Sequence, residues 1–521
     1  MPNLDPLTPK LLEPHNEKEP EVEYYQIPHE SIDDIEEAVP KNDAGQAPSW
    51  AQPNGGRSHR LWVLAPWFLA AMCGKATRKQ SKVTSTTYMN GIRGLACIIV
   101  YSFHVVSYYY QAFANPWGAA PAELNYGISQ LPFVRIVLAG KAMVCLFFVL
   151  SGFVLAYSPL RTISARLSNS SSNTRSSDDL IGKLCSSMVR RGIRLFMPLI
   201  VLASITCIVT WYYPIFPPGT WRDNNQTFWG HIMGYVSLTL PVMDPYLWSV
   251  YAPTSFNHCW TLGVEYRGSM IIFMLCVAVA DLGKRCRKLV IAVSALWALH
   301  FGHWEVFCFM AGMFLAELRF NPLSEDFAFL TSNRRSWQPA PIGDLGLKSS
   351  GRDHRHQLFK TAFFSGLLVF AIFVMGWPQG GHQGVEPYNT LVGLVPILYQ
   401  GNNDATVCFW GSVGGFLLLV ACENLPWVQW LLSTPPMIYL GDISFSFYLL
   451  HWLIYLAPGV EILKLFGDFG WSTDASFYTM YVIVFAMIVV VADYYWRLVD
   501  EPSVALGRIL FNKVKAQKNE E

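Results

Sequence analysis

Long apolar runs recur along most of this chain and limit its possible folds more than any other feature. A run of about 20 apolar residues can cross the ~30 Å hydrocarbon core of a bilayer as an α-helix. The 521 residues are 52% hydrophobic and only 14% charged, whereas soluble domains average about 25% charged residues. The runs therefore predict an all-α fold, a polytopic membrane helix bundle of about ten transmembrane helices. The predicted spans are 92–113, 133–157, 194–213, 260–280, 288–302, 304–319, 361–377, 405–421, 436–456 and 476–497.

Lysine and arginine residues concentrate in alternate loops between these runs. The loops on one side contain most of the basic residues, and the opposite loops contain only Arg222 and Lys464. Because basic loops stay in the cytosol, this alternation predicts that both termini are cytosolic. The predicted organisation is a disordered acidic tail at 1–56, an interfacial juxtamembrane segment at 57–87, the transmembrane domain at 88–510 and a basic cytosolic tail at 511–521.

Several classes of partner and site are disfavoured by composition. A net charge of +1 argues against nucleic acid as the main partner. The eleven cysteines show no paired spacing, so the sequence predicts neither a disulfide framework nor a metal site. Asn225-Gln-Thr227 is a sequon on the predicted lumenal side, which makes Asn225 a candidate glycosylation site.

Ionisable residues inside the predicted spans are the first candidates for function, because a charged side chain near a span centre costs at least about 2.5–3.5 kcal/mol. Arg93 opens the first span, and His104 lies three helical turns plus about 20° further on, a rise of about 16 Å. Both side chains therefore share one helix face. Arg93 is expected at the cytosolic boundary, where it either serves a substrate or reaches lipid phosphate. His104 is expected near the middle of the membrane, where it is a functional candidate unless a neighbouring helix satisfies its ring.

Further polar residues lie in later spans. Lys141 in the second span needs a carboxylate or a polar cavity, and Glu265, near the outer end of the fourth span, is an available carboxylate. The two residues either pair with each other or bind substrate. Ser444, Tyr448 and His451 follow the i, i+4, i+7 pattern of one helix face. They either bond to neighbouring helices or line a pocket.

Six short motifs follow one another between residue 88 and about residue 510. They are the segments Gly91–His104, Phe147–Phe153, Arg190–Pro198, Trp260–Glu265, Leu440–His451 and Asp500–Pro502. In this order they resemble the motifs of the acyltransferase 3 family of multi-pass membrane O-acyltransferases, and the Trp-rich loops resemble those of its fungal members.

The resemblance implies an enzyme that moves an acyl group, commonly acetyl, from a coenzyme A thioester to a hydroxyl group. Acyl-CoA would be a co-substrate, and no permanently bound cofactor is expected. His104, if neutral, is the candidate general base for the acceptor hydroxyl. Arg93 would hold a phosphate or the pantetheine region of the donor. Arg190, Arg191 and Arg194 either form the landing site of the donor or only set the topology.

The candidates for substrate binding are Lys141, Ser151, Trp260, Glu265, Ser444, Tyr448 and His451. Ser151 has no neighbouring acid or base in the sequence, so direct transfer is preferred over an acyl-enzyme. The acceptor is expected to be a small or lipophilic metabolite or a glycan, by analogy with fungal members in specialised metabolism. Its identity, the acyl chain length and the oligomeric state are not set by the sequence.

A secondary transporter of a polar metabolite is the alternative function, since buried Arg, Lys, Glu and His also suit transport pathways. The sequence shows no repeat of one half in the other, which argues against a transporter. The presence of both Arg93 and His104 argues against a non-catalytic scaffold. The expected location is an endomembrane, of the endoplasmic reticulum or Golgi, or the plasma membrane, with the lipid bilayer as a partner.

Overall fold

The computed structural model describes residues 84–168, 175–213, 227–248, 250–323 and 351–520, together with Pro66 and Cys73. Every regular element in these ranges is helical, so the all-α prediction is confirmed. The predicted tail 1–56, most of the juxtamembrane segment 57–87 and the sequon residue Asn225 lie outside the described residues.

The α-helices of the described residues are numbered here in chain order. They are α1 (Thr87–Tyr109), α2 (Gly140–Ser168), α3 (Arg175–Tyr212), α4 (Phe228–Met243), α5 (Thr261–Ala278), α6 (Lys284–His300), α7 (Trp304–Phe320), α8 (Gly351–Met375), α9 (Tyr388–Val392), α10 (Asn403–Asn424), α11 (Pro426–Leu432), α12 (Pro435–Ile454), α13 (Val460–Asp468), α14 (Thr473–Tyr495) and α15 (Glu501–Glu520). Short 3₁₀ segments precede α2, α5 and α10, and π-helical turns join α12 to α13 and α14 to α15. The predicted tail 511–521 continues α15 as far as the described residues reach.

Within the described ranges, eight helical stretches are long and apolar enough to cross a membrane. The predicted spans 288–302 and 304–319 correspond to α6 and α7, which have 17 residues each. A 17-residue helix rises about 26 Å, which is less than the hydrocarbon thickness. The described ranges therefore contain eight long candidates, and α6 and α7 are two further helices at the short end of the range for a span.

Ion pairs tie the helices together at the end of the bundle where α1 begins and α7 ends, which we call the basic end. Arg319 of α7 lies 3.0 Å from Glu423 of α10, and the Tyr88 hydroxyl of α1 donates to the same carboxylate at 2.5 Å. Arg287 and Glu317 join α6 to α7 at 2.9 Å, and both side chains are fully buried. These contacts fix the relative positions of α1, α6, α7 and α10.

The opposite end of the bundle is covered by the connecting segments 110–139 and 376–402. Arg135 was expected inside the second span but lies before α2, in the 3₁₀ segment Val134–Leu138. Its guanidinium donates to the backbone carbonyls of Asn115 at 2.5 Å and Gly376 at 3.0 Å. These carbonyls satisfy the buried guanidinium of Arg135 within the covering segments. Arg135 is therefore not part of α2, which begins at Gly140.

Helices α1 and α12 approach each other closely enough for backbone contact. A Cβ at Gly441 of α12 would overlap the backbone carbonyl of Asn90, and a Cβ at Gly94 of α1 would overlap α12 at Leu440. Glycine at both positions therefore permits this approach. The close packing continues along both helices and brings His104 of α1 next to His451 of α12.

Candidate active site

Three histidine rings from three separate elements meet inside the bundle. His104 comes from α1, His451 from α12, and His258 from the 3₁₀ segment Thr254–Trp260. The ring centroids are 5.2 Å apart for His104 and His451, 4.6 Å for His258 and His451, and 6.5 Å for His104 and His258. We call these three residues the histidine cluster. Across the described ranges, no group of three or more His, Cys, Asp or Glu residues is arranged to hold a metal ion.

His258 reaches the cluster because the segment before α5 enters the bundle. The Tyr448 hydroxyl donates to the backbone carbonyl of His258 and lies 2.7 Å from the hydroxyl of Thr261. His258 lies between the predicted spans 194–213 and 260–280, so it was not among the predicted site residues. The one feature of the sequence that could have indicated a role for His258 was its position two residues before the motif Trp260–Glu265.

Hydrogen bonds to backbone carbonyls determine which ring nitrogens of this cluster remain available. A carbonyl only accepts, so His451 donates from Nδ1 to Tyr448 at 2.6 Å and His258 donates from Nε2 to Leu449 at 3.1 Å. In the neutral rings this leaves lone pairs on Nε2 of His451 and Nδ1 of His258. Neither of these buried atoms has a hydrogen-bond partner in the described part of the chain.

His104 differs from the other two histidines in its accessibility. Its side chain is only partly buried, whereas His258 and His451 are 3% and 1% exposed. The edge of the Trp452 ring packs against it, with centroids 5.2 Å apart. His104 was expected near the middle of the first span, but only five residues of α1 follow it. The histidine cluster therefore lies towards the opposite end of the bundle.

A second group of charged residues lies nearer the basic end. The charges of Arg194, Glu265, Asp500 and Arg191 all act on Arg93. Asp500 is buried, and its charge interacts with those of Arg194 and Arg93. We call Arg93, Arg191, Arg194, Glu265 and Asp500 the arginine cluster. It brings together the first, third, fourth and sixth of the sequence motifs, and the role of Asp500 in it was not predicted.

Glu265 pairs with an arginine of this cluster instead of with Lys141. Its carboxylate lies 2.5 Å from Arg191 and accepts a hydrogen bond from Ser151 at 3.0 Å. Lys141 forms an ion pair with Asp404. The pairing of Lys141 with Glu265 that the sequence allowed is therefore not found. The reason is that α5 begins inside the bundle, so Glu265 lies towards the basic end, while Lys141 lies in the first turn of α2 at the opposite end.

The other predicted site residues occupy separate positions. Ser444 is buried and donates to the carbonyl of Gly441 in its own helix at 2.7 Å. Arg190 lies one turn before Arg194 and packs against α15 near Gly507. Trp260 is partly buried and packs edge-on against Trp304, with centroids 6.4 Å apart. The polar stripe of α12 is thus divided: His451 belongs to the histidine cluster and Tyr448 contacts the backbone of His258, whereas Ser444 bonds within its own helix.

Polar residues connect the two clusters. The charge of Glu265 acts on Arg93 and on Tyr448, and Tyr448 contacts the backbone of His258. Along α1, Arg93 and His104 are separated by a rise of about 16 Å. An anionic ligand can therefore bind at the arginine cluster while its other end reacts at the histidine cluster. Buried ionisable side chains gathered inside a polytopic helix bundle are typical of an integral membrane enzyme.

Comparison with known proteins shows the family to which this chain belongs. The family described as an acyltransferase domain matches residues 86–497, and the chain belongs to this family. The protein is therefore a membrane O-acyltransferase, and the alternative of a secondary transporter is not supported.

Curated fungal proteins are similar along nearly their whole length. O-acetyltransferase PaAT-1 of Phomopsis amygdali is 24% identical over 494 residues, which cover 89% of this chain and 90% of the relative. Acyltransferase R4 of a Phoma species is 20% identical over 472 residues, covering 81% and 94%. Acyltransferase clz18 of Cochliobolus lunatus is 20% identical over 470 residues, covering 80% and 94%. No solved structure matches the chain.

Proposed function

We propose that this membrane acyltransferase moves a short acyl group, acetyl in the first instance, from a coenzyme A thioester to a hydroxyl of a small or lipophilic metabolite or a glycan. The observation that carries the proposal is the partly exposed His104 ring beside two buried histidines, connected through polar residues to the arginine cluster. The name of the relative PaAT-1, an O-acetyltransferase, supports acetyl as the transferred group.

The donor binds with its phosphates towards the basic end. Guanidinium groups suit phosphate because they form two parallel hydrogen bonds to its oxygens. Glu265 pairs with Arg191, and Asp500 interacts with Arg93 and Arg194, so the arginine cluster has three arginines against two carboxylates. We assign the donor phosphates to Arg93 and Arg194, with the neighbouring Arg190. The flexible arm of coenzyme A separates its phosphates from the thioester, which suits the distance of about 16 Å between Arg93 and His104.

Transfer takes place at the histidine cluster. His104 accepts the proton of the acceptor hydroxyl as its oxygen attacks the thioester carbonyl. The tetrahedral intermediate then collapses, the carbon–sulfur bond breaks, and the coenzyme A sulfur leaves with the proton that His104 returns. The products are an ester and free coenzyme A. The rings of His451 and His258 lie beside His104, and a lone pair directed at His104 would stabilise the positive charge that it acquires.

The experiment uses the purified protein in lipid nanodiscs with radiolabelled acetyl-CoA, a panel of hydroxyl-bearing acceptors and mass detection of products. His104→Ala is expected to lower the transfer rate at least about 100-fold, since general base catalysis contributes about 10²–10⁴. Arg93→Ala is expected to raise the KM for acetyl-CoA. The matched control is His300→Ala, because His300 is exposed at the end of α6. Full activity in a well-folded His104→Ala protein would overturn the assignment of the base.

The donor side also gives an orientation and a location. The basic loops of the sequence place the basic end in the cytosol, so the donor would be taken from the cytosolic side. This orientation suits an endomembrane of the endoplasmic reticulum or Golgi as well as the plasma membrane.

A further inference from the structure

A cavity of about 260 Å³ opens near the opposite end of the bundle, away from both clusters. Its walls are the segment 241–251 after α4, one face of α5 and the turn between α6 and α7. The face of α5 that lines it carries Gly263 and Arg267 and is turned away from Thr261 and Glu265. The cavity is therefore a separate site, whose ligand is not required to reach His104.

The charged side chains give this cavity a net negative charge. Arg267 lies 3.4 Å from Glu305, and its guanidinium is 4.2 Å from the centre of the Trp248 ring. Among the described residues, Arg267 is the one hydrogen-bond partner of Glu305, which leaves the second carboxylate oxygen available. Asp244 is exposed and adds a second carboxylate to the lining. Two carboxylates against one arginine favour a ligand that carries a positive charge.

Aromatic rings make up much of the remaining wall. They belong to Trp248, Tyr251, Trp260 and Trp304. The rings of Trp260 and Trp304 have centroids 6.4 Å apart and planes inclined at 74°, so they form a corner. Aromatic rings attract cations, and several rings around one site commonly bind a quaternary ammonium group. A primary ammonium is more strongly hydrated, so the corner favours the methylated cation.

The volume of the cavity limits the size of this cation. A water molecule takes about 30 Å³ of liquid volume, so the cavity has room for roughly nine groups of that size. This space suits a choline group and is much larger than a single metal ion requires. Arg267 supplies a guanidinium for a phosphate next to the choline, since guanidinium groups bind phosphate oxygens well.

Exposed aromatic residues around the cavity indicate its depth in the membrane. Tyr246 and Trp248 of the wall segment are exposed, and so is Trp297, near the end of α6. Tryptophan and tyrosine are enriched where a membrane protein meets the lipid headgroups. A ligand can therefore enter the cavity from the headgroup layer, which contains choline attached to phosphate in phospholipids.

From these observations we propose that this cavity binds the choline headgroup of a membrane phospholipid. The quaternary ammonium lies in the corner of Trp260 and Trp304, with Glu305 and Asp244 as its counter-charges, and Arg267 binds the phosphate. The inference assigns a lipid site that is independent of the acyl-transfer reaction, so its test measures binding and does not depend on the proposed function.

The test compares headgroups on identical acyl chains. The purified protein is delipidated in a maltoside detergent and titrated with dihexanoyl phosphatidylcholine, phosphatidylethanolamine or phosphatidylglycerol, and separately with choline chloride. Isothermal titration calorimetry gives each Kd, and thermal unfolding gives the accompanying rise in Tm. We expect phosphatidylcholine to bind at least tenfold more tightly than the other two lipids and than free choline.

Two sets of variants place the site in the cavity. Asp244→Asn combined with Glu305→Gln removes both charges but keeps the oxygens that accept from Tyr246 and Arg267. It should weaken phosphatidylcholine binding at least tenfold, whereas the control Glu461→Gln, at an exposed ion pair of α13, should not. Trp304→Leu should reduce the preference for choline over ethanolamine below threefold. Its control is Trp427→Leu, because Trp427 is exposed in α11.

The outcomes distinguish the ligand, its source and its location. Equal affinities for the three lipids would contradict a choline site. A Kd for free choline equal to that of phosphatidylcholine would overturn the lipid as the source. Unchanged affinity and unchanged headgroup preference in both sets of cavity variants, with thermal unfolding like that of the native protein, would overturn the location.

Discussion

At the scale of single residues, the orientation of two histidine rings is set by neighbouring carbonyls of one helix. His451 donates to Tyr448 and His258 donates to Leu449, both near the end of α12. Each ring is left with a buried nitrogen that has no partner among the described residues. Leaving such a group unsatisfied costs about 1–3 kcal/mol. A cost of this size at two adjacent rings is consistent with a role in supporting His104.

The role of His258 as a positioning residue can be tested with two substitutions. His258→Gln keeps an N–H group that can donate to the Leu449 carbonyl, whereas His258→Leu does not. We expect His258→Leu to lower kcat about 10- to 100-fold, because the charge on His104 loses its neighbour. His258→Gln should retain more activity.

The KM values for donor and acceptor distinguish this role from binding. Both should stay within about twofold of the native values in steady-state assays. A rise in either KM with an unchanged kcat would show that His258 binds substrate and does not support the base.

At the scale of helices, the contact between α1 and α12 decides whether His104 and His451 meet. Gly441 lies against the backbone of Asn90, and no side chain fits between the helices there. Polar bonds strengthen the contact, since Asn90 donates to Asp442 at 3.2 Å. The geometry of the histidine cluster therefore depends on glycines located several turns away.

This dependence predicts the effect of a single methyl group. Gly441→Ala should lower the free energy of unfolding by about 1–3 kcal/mol, the usual cost of overpacking, and should reduce acyl transfer at least tenfold. The control is Gly467→Ala in α13, where nothing lies within 4 Å of a new Cβ. There, alanine should be neutral or should stabilise the helix by up to about 1 kcal/mol.

Tryptophan fluorescence monitors thermal unfolding in detergent and gives the stability of both variants. Acyl transfer is assayed in parallel. Normal activity in Gly441→Ala would mean that the contact between α1 and α12 does not control the site.

At the scale of the whole molecule, the two clusters are arranged along the bundle. The arginine cluster lies towards the basic end, and the histidine cluster lies towards the opposite end. In the proposed reaction the donor would therefore enter from the basic end, with its thioester reaching His104.

Native cysteines can test this orientation. Cys185 of α3 and Cys286 of α6 are exposed in the basic parts of their helices. In sealed microsomes with the cytosolic face outward, a membrane-impermeant maleimide should label both, in a protein that carries Cys73→Ser. Val250→Cys should be labelled only after permeabilisation, because Val250 is exposed at the opposite end.

Peptide mass analysis identifies the labelled residues. Labelling of Val250→Cys in intact microsomes, with Cys185 and Cys286 protected, would reverse the proposed orientation.

The sequence by itself determined the helical membrane fold and the order of the motifs, and it singled out Arg93 and His104 as candidates. These features are local, since a helix in lipid satisfies its backbone within the segment and a charge in an apolar run is costly wherever the helix packs. The lengths of α6 and α7 were less certain, because a short apolar run also suits a buried helix that does not cross the bilayer.

Only the tertiary structure decided which polar residues meet. It placed His258 beside His451, paired Glu265 with Arg191 and left Lys141 to Asp404. These contacts depend on how deeply the segment before α5 enters the bundle, and helix periodicity along one chain contains no information about that depth. The partners of a buried charge are chosen by packing between helices, and packing is a property of the whole fold.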